Sequence, residues 1–194
     1  MNRRPLGRLR IIGGQWRSRL VDFDAGEGVR PTPDRVRQTL FDWLSPLIEG
    51  ARCLDLFAGS GALGLEALSR GAAQSIFVEQ GAAQAAAIRA AADKLAAGPS
   101  AQVVQAEALN WLRAATGPFD VVFLDPPYDS ELLAPALAGL PRILAPQHRV
   151  YLEWPQGQPL ALPSGFRLLK EKAAGQVSYG LAAFTAAASE GVAT

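Results

Sequence analysis

One cysteine, Cys53, and one histidine, His148, are all that the 194 residues supply. A single cysteine excludes an intrachain disulfide, and the two together make a zinc site of Cys and His ligands untenable, so no metal is expected. His148 lies in "LAPQHRV" with no nucleophile motif beside it. It reads as a loop histidine rather than the base of a catalytic triad. No apolar run approaches the roughly 18–20 residues of a membrane span. The N-terminus, "MNRRPLGRLRIIGGQWR", lacks the apolar segment and small-residue cleavage site of a signal peptide, which predicts a cytoplasmic protein with no membrane partner.

Acidic residues are missing from the first 20 positions, which hold Arg3, Arg4, Arg8, Arg10, Arg17 and Arg19. From Gln38 onward there are 10 basic and 14 acidic residues, so a net charge of only +1 hides a basic arm on a slightly acidic body. Such an arm suits a polyanion, or simply solubilises a terminus. A hydrophobic content of 49% and a mean hydropathy of +0.09 describe an ordinary globular core, and the length suits one domain.

Short apolar runs alternate with helical stretches, which predicts an α/β fold with a parallel sheet and crossover helices. Strands are expected at Arg52–Phe57, Ser75–Glu79, Ala101–Gln105 and Asp120–Leu124, and again in "RVYLEW", "FRLLKEKA" and "VSYGLAAF". Helices are expected in "ALGLEALSRG", ended by Gly71, in the alanine-rich "AAQAAAIRAAADKLAA", near "ALNWLRAA" and in "SELLAPALAGL", where Pro135 kinks or delays the start. Glu66 and Arg70 lie four apart and read as an exposed helix pair. Ahead of this core, "RLRIIGGQWRSRL" carries a two-residue hairpin signal at Gly13-Gly14. "RPTPDRVRQTLFDWLSPL" predicts a helix with Thr32 as N-cap and Pro33 at the first helical position. Its stripe of Val36, Leu40, Trp43, Leu44 and Leu47 is expected to pack on the body. The expected units are a basic hairpin-and-helix extension over 1–48, a nucleotide-binding domain over 49–186 and a frayed tail over 187–194.

Gly59-Ser60-Gly61-Ala62-Leu63-Gly64 fits the G-x-G-x-x-G pattern of dinucleotide binding, and Glu79 follows at a distance suited to a ribose. Alone that pattern is weak, since glycines after the first strand serve any ligand that needs a close backbone. Two details favour S-adenosylmethionine (SAM). Asp55, at the strand end, would repel a pyrophosphate but suits a cationic amino group. Phe57 and Ala58 also lengthen the loop before Gly59. Glu79 can accept from both ribose hydroxyls of either cofactor. Glu107 after the third strand can accept from an adenine amine or simply start a helix.

"DPPY", Asp125-Pro126-Pro127-Tyr128, follows the strand "VVFL". Two prolines stiffen an extended loop at the carboxyl edge of the sheet. The Asp125 side chain and the Pro126 carbonyl can then converge as two acceptors for both hydrogens of an exocyclic amine. That frees the nitrogen lone pair to attack an electrophilic methyl in line. Tyr128 can stack on a base that is unpaired or has left its stack.

This motif resembles that of the amino-methyltransferases of nucleic acids. With "RIIGGQWR", "RPTPDRVRQTLFDWL", "LDLFAGSGALGLEALSRGA" and "EKAAGQVSYGL" the chain is similar, from about Arg10 to Phe184, to the RsmD family of bacterial 16S rRNA guanine-N2 methyltransferases. The resemblance implies a Rossmann-like, seven-stranded SAM-dependent methyltransferase sheet whose last strand is antiparallel, preceded by the β-hairpin and helix. It implies cofactor contacts at Asp55, Phe57, Gly59, Gly61, Glu79 and Glu107, with Thr32 bordering the cleft. It also implies base contacts at Asp125, Pro126 and Tyr128, and RNA contacts at Arg10, Arg17, Arg19, Arg30 and Arg35. The implied partner is 16S rRNA in the 30S subunit or an assembly intermediate, met by a monomer. Glu107 stands where Asp or Asn is more usual, and Gln80 where a second acid is common. A DNA adenine-N6 or cytosine-N4 methyltransferase would share the "DPPY" motif but needs a separate target-recognition domain. A noncatalytic SAM-binding assembly factor would not need the motif.

Overall fold

Parallel strands cannot be joined by tight turns; each pair needs a crossover of a dozen or more residues. The chain supplies these crossovers after a separate N-terminal hairpin. The computed structural model describes residues 6–26, 31–127 and 131–186. The expected tail 187–194, Tyr128 and Arg30 lie outside the described residues. In chain order the elements begin with a two-stranded antiparallel sheet, β1 (Leu6–Arg10) and β2 (Leu20–Asp24), then α1 (Asp34–Leu44). The core follows as β3 (Arg52–Asp55), α2 (Ala62–Ser69), β4 (Gln74–Glu79), α3 (Ala82–Lys94), β5 (Ala101–Gln105), α4 (Ala108–Ala114), β6 (Phe119–Leu124) and α5 (Leu133–Gly139). It closes with β7 (Leu144–Pro155), β8 (Phe166–Ala174) and β9 (Val177–Phe184).

The seven-stranded sheet runs β5-β4-β3-β6-β7-β9-β8. β9, the last strand in sequence, pairs antiparallel with both neighbours, and the β3–β7 pairings are all parallel. Strand order reverses beside β3, so ligands are expected at the carboxyl ends of β3 and β6. One apolar cluster covers the face under the hairpin, α1, α2 and α3; a second lies under α4 and α5. Pro135 sits in the first turn of α5, where no intrahelical hydrogen bond is lost. Among the described residues no helix is long and apolar enough to cross a membrane.

Four expectations change. The hairpin does not turn at Gly13-Gly14. Its pairing extends through Ile11 and Arg19, and the residues between them dock on the end of α2. There Gln15 N–H donates to the Ser69 carbonyl at 2.7 Å and Trp16 N–H to Ser69 Oγ at 2.9 Å. Gly14 has φ +74°, and a Cβ there would lie 1.8 Å from the Ser69 carbonyl oxygen, so only glycine fits the dock. Local turn chemistry gave way to a tertiary contact.

Thr32 is not the cap of α1. Pro33 holds that position without a side-chain bond, and the Thr32 hydroxyl is spent elsewhere. Val36, Leu40 and Leu44 are buried as expected, joined by Phe41 and, unexpectedly, by Arg37.

Glu66 is not on an exposed helix pair; it has no accessible surface. Its carboxylate accepts from Ile12 N–H at 2.9 Å, Gly13 N–H at 2.8 Å, Arg37 Nη1 at 3.1 Å and Arg70 Nε at 2.8 Å. A spacing of four residues suggests a surface pair only while nothing covers the helix, and here the hairpin covers it.

His148 is no loop histidine but part of β7, which starts earlier than "RVYLEW". Its Nδ1 donates to the Ala145 carbonyl at 2.6 Å and its Nε2 accepts from Phe184 N–H at 2.9 Å, a neutral imidazole pinning β7 to β9.

Candidate active site

Side chains two apart on a strand share a face, so neighbouring strands in register line up their alternate residues. Asp55 is level with Phe77 on β4 and Phe123 on β6, and Phe123 is level with Tyr151 on β7. Two residues further on, β4 ends at Glu79, β6 leads to Asp125 and β7 reaches Glu153. Glu79, Asp55, Asp125 and Glu153 therefore stand on one face at the carboxyl ends of four adjacent parallel strands.

Asp55 is buried and accepts the Gly64 N–H at 3.1 Å, which ties the end of β3 to the first turn of α2. Burial pushes its carboxyl up to about 7; the Gly64 hydrogen bond opposes that rise and the Glu79 charge adds to it. Glu79 accepts from Gly59 N–H at 2.8 Å and Gly81 N–H at 2.7 Å, so one carboxylate braces the glycine loop and the turn into α3. Gly61, the N-cap of α2, has φ +74° and faces Ile88 so closely that a side chain would push it away. Phe57 is half-buried against the second apolar cluster. The loop is thus a narrow cradle with a carboxylate at each end.

Asp125 keeps some accessible surface, whereas Pro126 is buried. Burial raises the Asp125 carboxyl well above its usual range, and the negative charges of Glu153 and then Asp55 raise it further. Glu153, only 4% exposed, accepts on Oε1 from the Thr32 hydroxyl at 3.1 Å and from the Tyr151 hydroxyl at 2.7 Å. Glu107 caps α4, its two oxygens accepting from Leu109 N–H at 2.9 Å and Asn110 N–H at 2.8 Å. Of its two readings, the structure shows the helix start.

The fold gathers Asp55, Phe57, Gly59, Gly61, Glu79, Asp125, Pro126 and Thr32 at one end of the sheet. None of the expected RNA-facing arginines among the described residues belongs to the acid row. Arg10 is paired with Asp34 at 2.9 Å, Arg19 donates to the Lys94 carbonyl at 2.7 Å, and Arg17 and Arg35 are exposed. Glu153 went unread in the sequence. A signal was present: "CLD", "FVE", "FLD" and "YLE" each place two hydrophobic residues before an acid, one per strand. A carboxylate inside a strand covered on both faces has to be held for a reason.

The cradle's donor set fits a cationic, nucleoside-bearing ligand. Among the described residues it offers carboxylates and no basic side chain, the reverse of a pyrophosphate site. The reversed β9 and the acid row together define a Rossmann-like methyltransferase fold. The family model described as Conserved hypothetical protein 95 matches residues 9–183. Ribosomal RNA small subunit methyltransferase D of Escherichia coli strain K12 is 45% identical over 179 residues, covering 90% of this chain and 89% of that protein. The Haemophilus influenzae protein of the same name is 42% identical over 180 residues, covering 90% and 93%. The solved structure of the putative methyltransferase yhhF from Escherichia coli superposes with a TM-score of 0.84 at 42% identity, over 93% of this chain and all of that one. The chain belongs to this family, the RsmD family that its motifs resemble.

Proposed function

We propose that this chain transfers a methyl group from SAM to the exocyclic N2 of one guanine in 16S rRNA, presented by the 30S subunit or an assembly intermediate. The observation that carries the reading is the row from Glu79 through Asp55 to Asp125 and Glu153, which sets a cation-accepting cradle beside the Asp125–Pro126 acceptors. Asp55, Glu79 and the loop from Phe57 to Gly61 would hold the cofactor. When bound, SAM supplies an electrophilic methyl on a sulfonium. The Asp125 carboxylate and the Pro126 carbonyl accept the two N–H groups of the guanine amine, which turns its lone pair out of conjugation. Positioning and electrostatics of this kind are enough for a displacement without a metal. Asp125, with its raised proton affinity, takes up the proton that the amine sheds.

The names of the relatives support ribosomal RNA as substrate; guanine N2 as the target atom rests on the family resemblance. The protein acts as a cytoplasmic monomer in this reading, with Tyr128 stacking on the target base. The test is methyl transfer from labelled SAM to small subunits that lack the modification. Asp125→Ala should abolish transfer while SAM still binds; unchanged transfer would overturn the assignment.

A further inference from the structure

An outer strand exposes unpaired backbone, and proteins commonly guard it with lysine. β8 is the outer strand beyond β9, and Lys170 and Lys172 lie on it, both exposed. Guarding an edge only requires charge pointing into water, yet these two side chains converge on one ring. Lys170 Nζ lies 5.8 Å and Lys172 Nζ 5.9 Å from the centre of the half-buried Trp43 indole on α1. Trp43 is itself stacked on Tyr179 of β9, with ring centres 5.7 Å apart and planes 30° apart. The floor under the two ammonium groups is therefore a stacked ring pair.

Neither lysine forms an ion pair among the described residues. Glu171 lies between them in sequence and so on the other face of the strand. Asp42, next to Trp43, is engaged by Gln38 at 2.6 Å. Two cations gathered on one aromatic ring repel each other. An anion added from outside would relieve that repulsion.

The place of the patch matters as much as its charge. Lys172 is level with Tyr179 on β9, and Tyr179 is level with Glu153 on β7. The patch is therefore in line with the acid row, about 14 Å from the strand of Asp125 by three inter-strand spacings. That is within a few nucleotides of a base held at Asp125. The N-terminal hairpin packs over α2 and α3, so the patch lies on the opposite flank of the cleft.

We propose that Lys170 and Lys172, held over Trp43, seat the phosphate backbone of the RNA strand that flanks the target base. Together with the arginine arm they hold the substrate from both sides. The proposal rests on the RNA-methylating reading of the site above.

The test uses the full chain with Lys170→Glu and Lys172→Glu together, and small subunits that lack the modification as the probe. Binding is measured over a salt series, and KM for the particle is measured alongside. The expected result is a KM raised about tenfold or more and a log-affinity against log-salt slope shallower by about 1.4, two contacts at roughly 0.7 each. A retained thermal shift with SAM shows that the variant is folded. If the double glutamate does not fold, Lys170→Gln with Lys172→Gln should give a smaller loss and the same change of slope. Affinity and slope equal to wild type would overturn the proposal. So would self-association of the variant with unchanged RNA affinity, which would make the lysines edge guards. If wild type itself transfers no methyl group to the particle, the underlying functional reading falls instead.

Discussion

Thr32 and Glu153 lie 121 positions apart and meet in a buried 3.1 Å hydrogen bond. The bond fastens the segment entering α1 to the acid row. Burial, Glu153 and Asp55, in that order, raise the Asp125 carboxyl. Glu153→Gln keeps an acceptor for Thr32 and Tyr151 but removes one of these charges. Asp125 should then ionise at lower pH. Because an ionised Asp125 is the form that accepts an amine hydrogen beside the Pro126 carbonyl and can take up the released proton, the rise of methyl transfer with pH should move to lower pH. A rise that stays in place would remove Glu153 from any role in tuning Asp125.

Asp55 gives a signed pH dependence of stability. Its folded-state value of about 7 lies above the ordinary aspartate value of 3.8. Between those values the folded state holds a proton that the unfolded state has released, so this group's contribution falls as pH rises and levels off above about 7. Asp55→Asn keeps an acceptor for Gly64 and removes the titration. Its stability relative to wild type should climb from about pH 4 to about pH 7 and then stay level, as read by denaturant melts across pH. A difference independent of pH would contradict a raised Asp55 carboxyl.

Arg37 is 1% exposed and its guanidinium reaches four partners: the Thr32 carbonyl, the Arg10 carbonyl, Asp34 and Glu66. A planar fork makes these bonds together; a lysine ammonium cannot. Arg37→Met should cost about 3–5 kcal/mol in chemical denaturation, because the buried Glu66 carboxylate loses one of its two counter-charges. Arg37→Lys keeps the charge and should cost less than Arg37→Met, through the partners an ammonium cannot reach. A loss under about 1 kcal/mol for Arg37→Met would place the pair among weak surface bridges.

The arginine arm should not act evenly. Arg10 is committed to Asp34, while Arg17 is exposed and its side chain makes no hydrogen bond or ion pair among the described residues. Arg17→Gln should therefore weaken RNA binding more than Arg10→Gln and lower the salt slope by roughly 0.7. Equal slopes for Arg17→Gln and wild type would remove the hairpin from the RNA surface.

The centre of the sheet was legible because β3, β4, β6 and β7 are dense apolar runs leading to an acid, a pattern that comes from burial on both faces. Ala101–Gln105 matched to the residue, and the neighbouring strands to within one or two positions. Asp55, Glu79 and Asp125 were legible for the same reason, each closing a strand beside a glycine or proline loop. Contacts distant in sequence were not. Glu66 looked exposed because helix spacing carries no trace of a hairpin 53 residues earlier. Thr32 looked like a cap because its real partner is on β7. Glu153 was hidden in "RVYLEW", where only the register against β6 shows which carboxyl it faces.

Transfer of methyl to guanine N2 is open to direct measurement. Small subunits lacking the modification should be incubated with the protein and labelled SAM, and the digested 16S rRNA resolved by nucleoside mass spectrometry. The expected result is label in N2-methylguanosine at a single site, absent with Asp125→Ala. Label in N6-methyladenosine, or none in the RNA, would contradict guanine-N2 methylation by this chain.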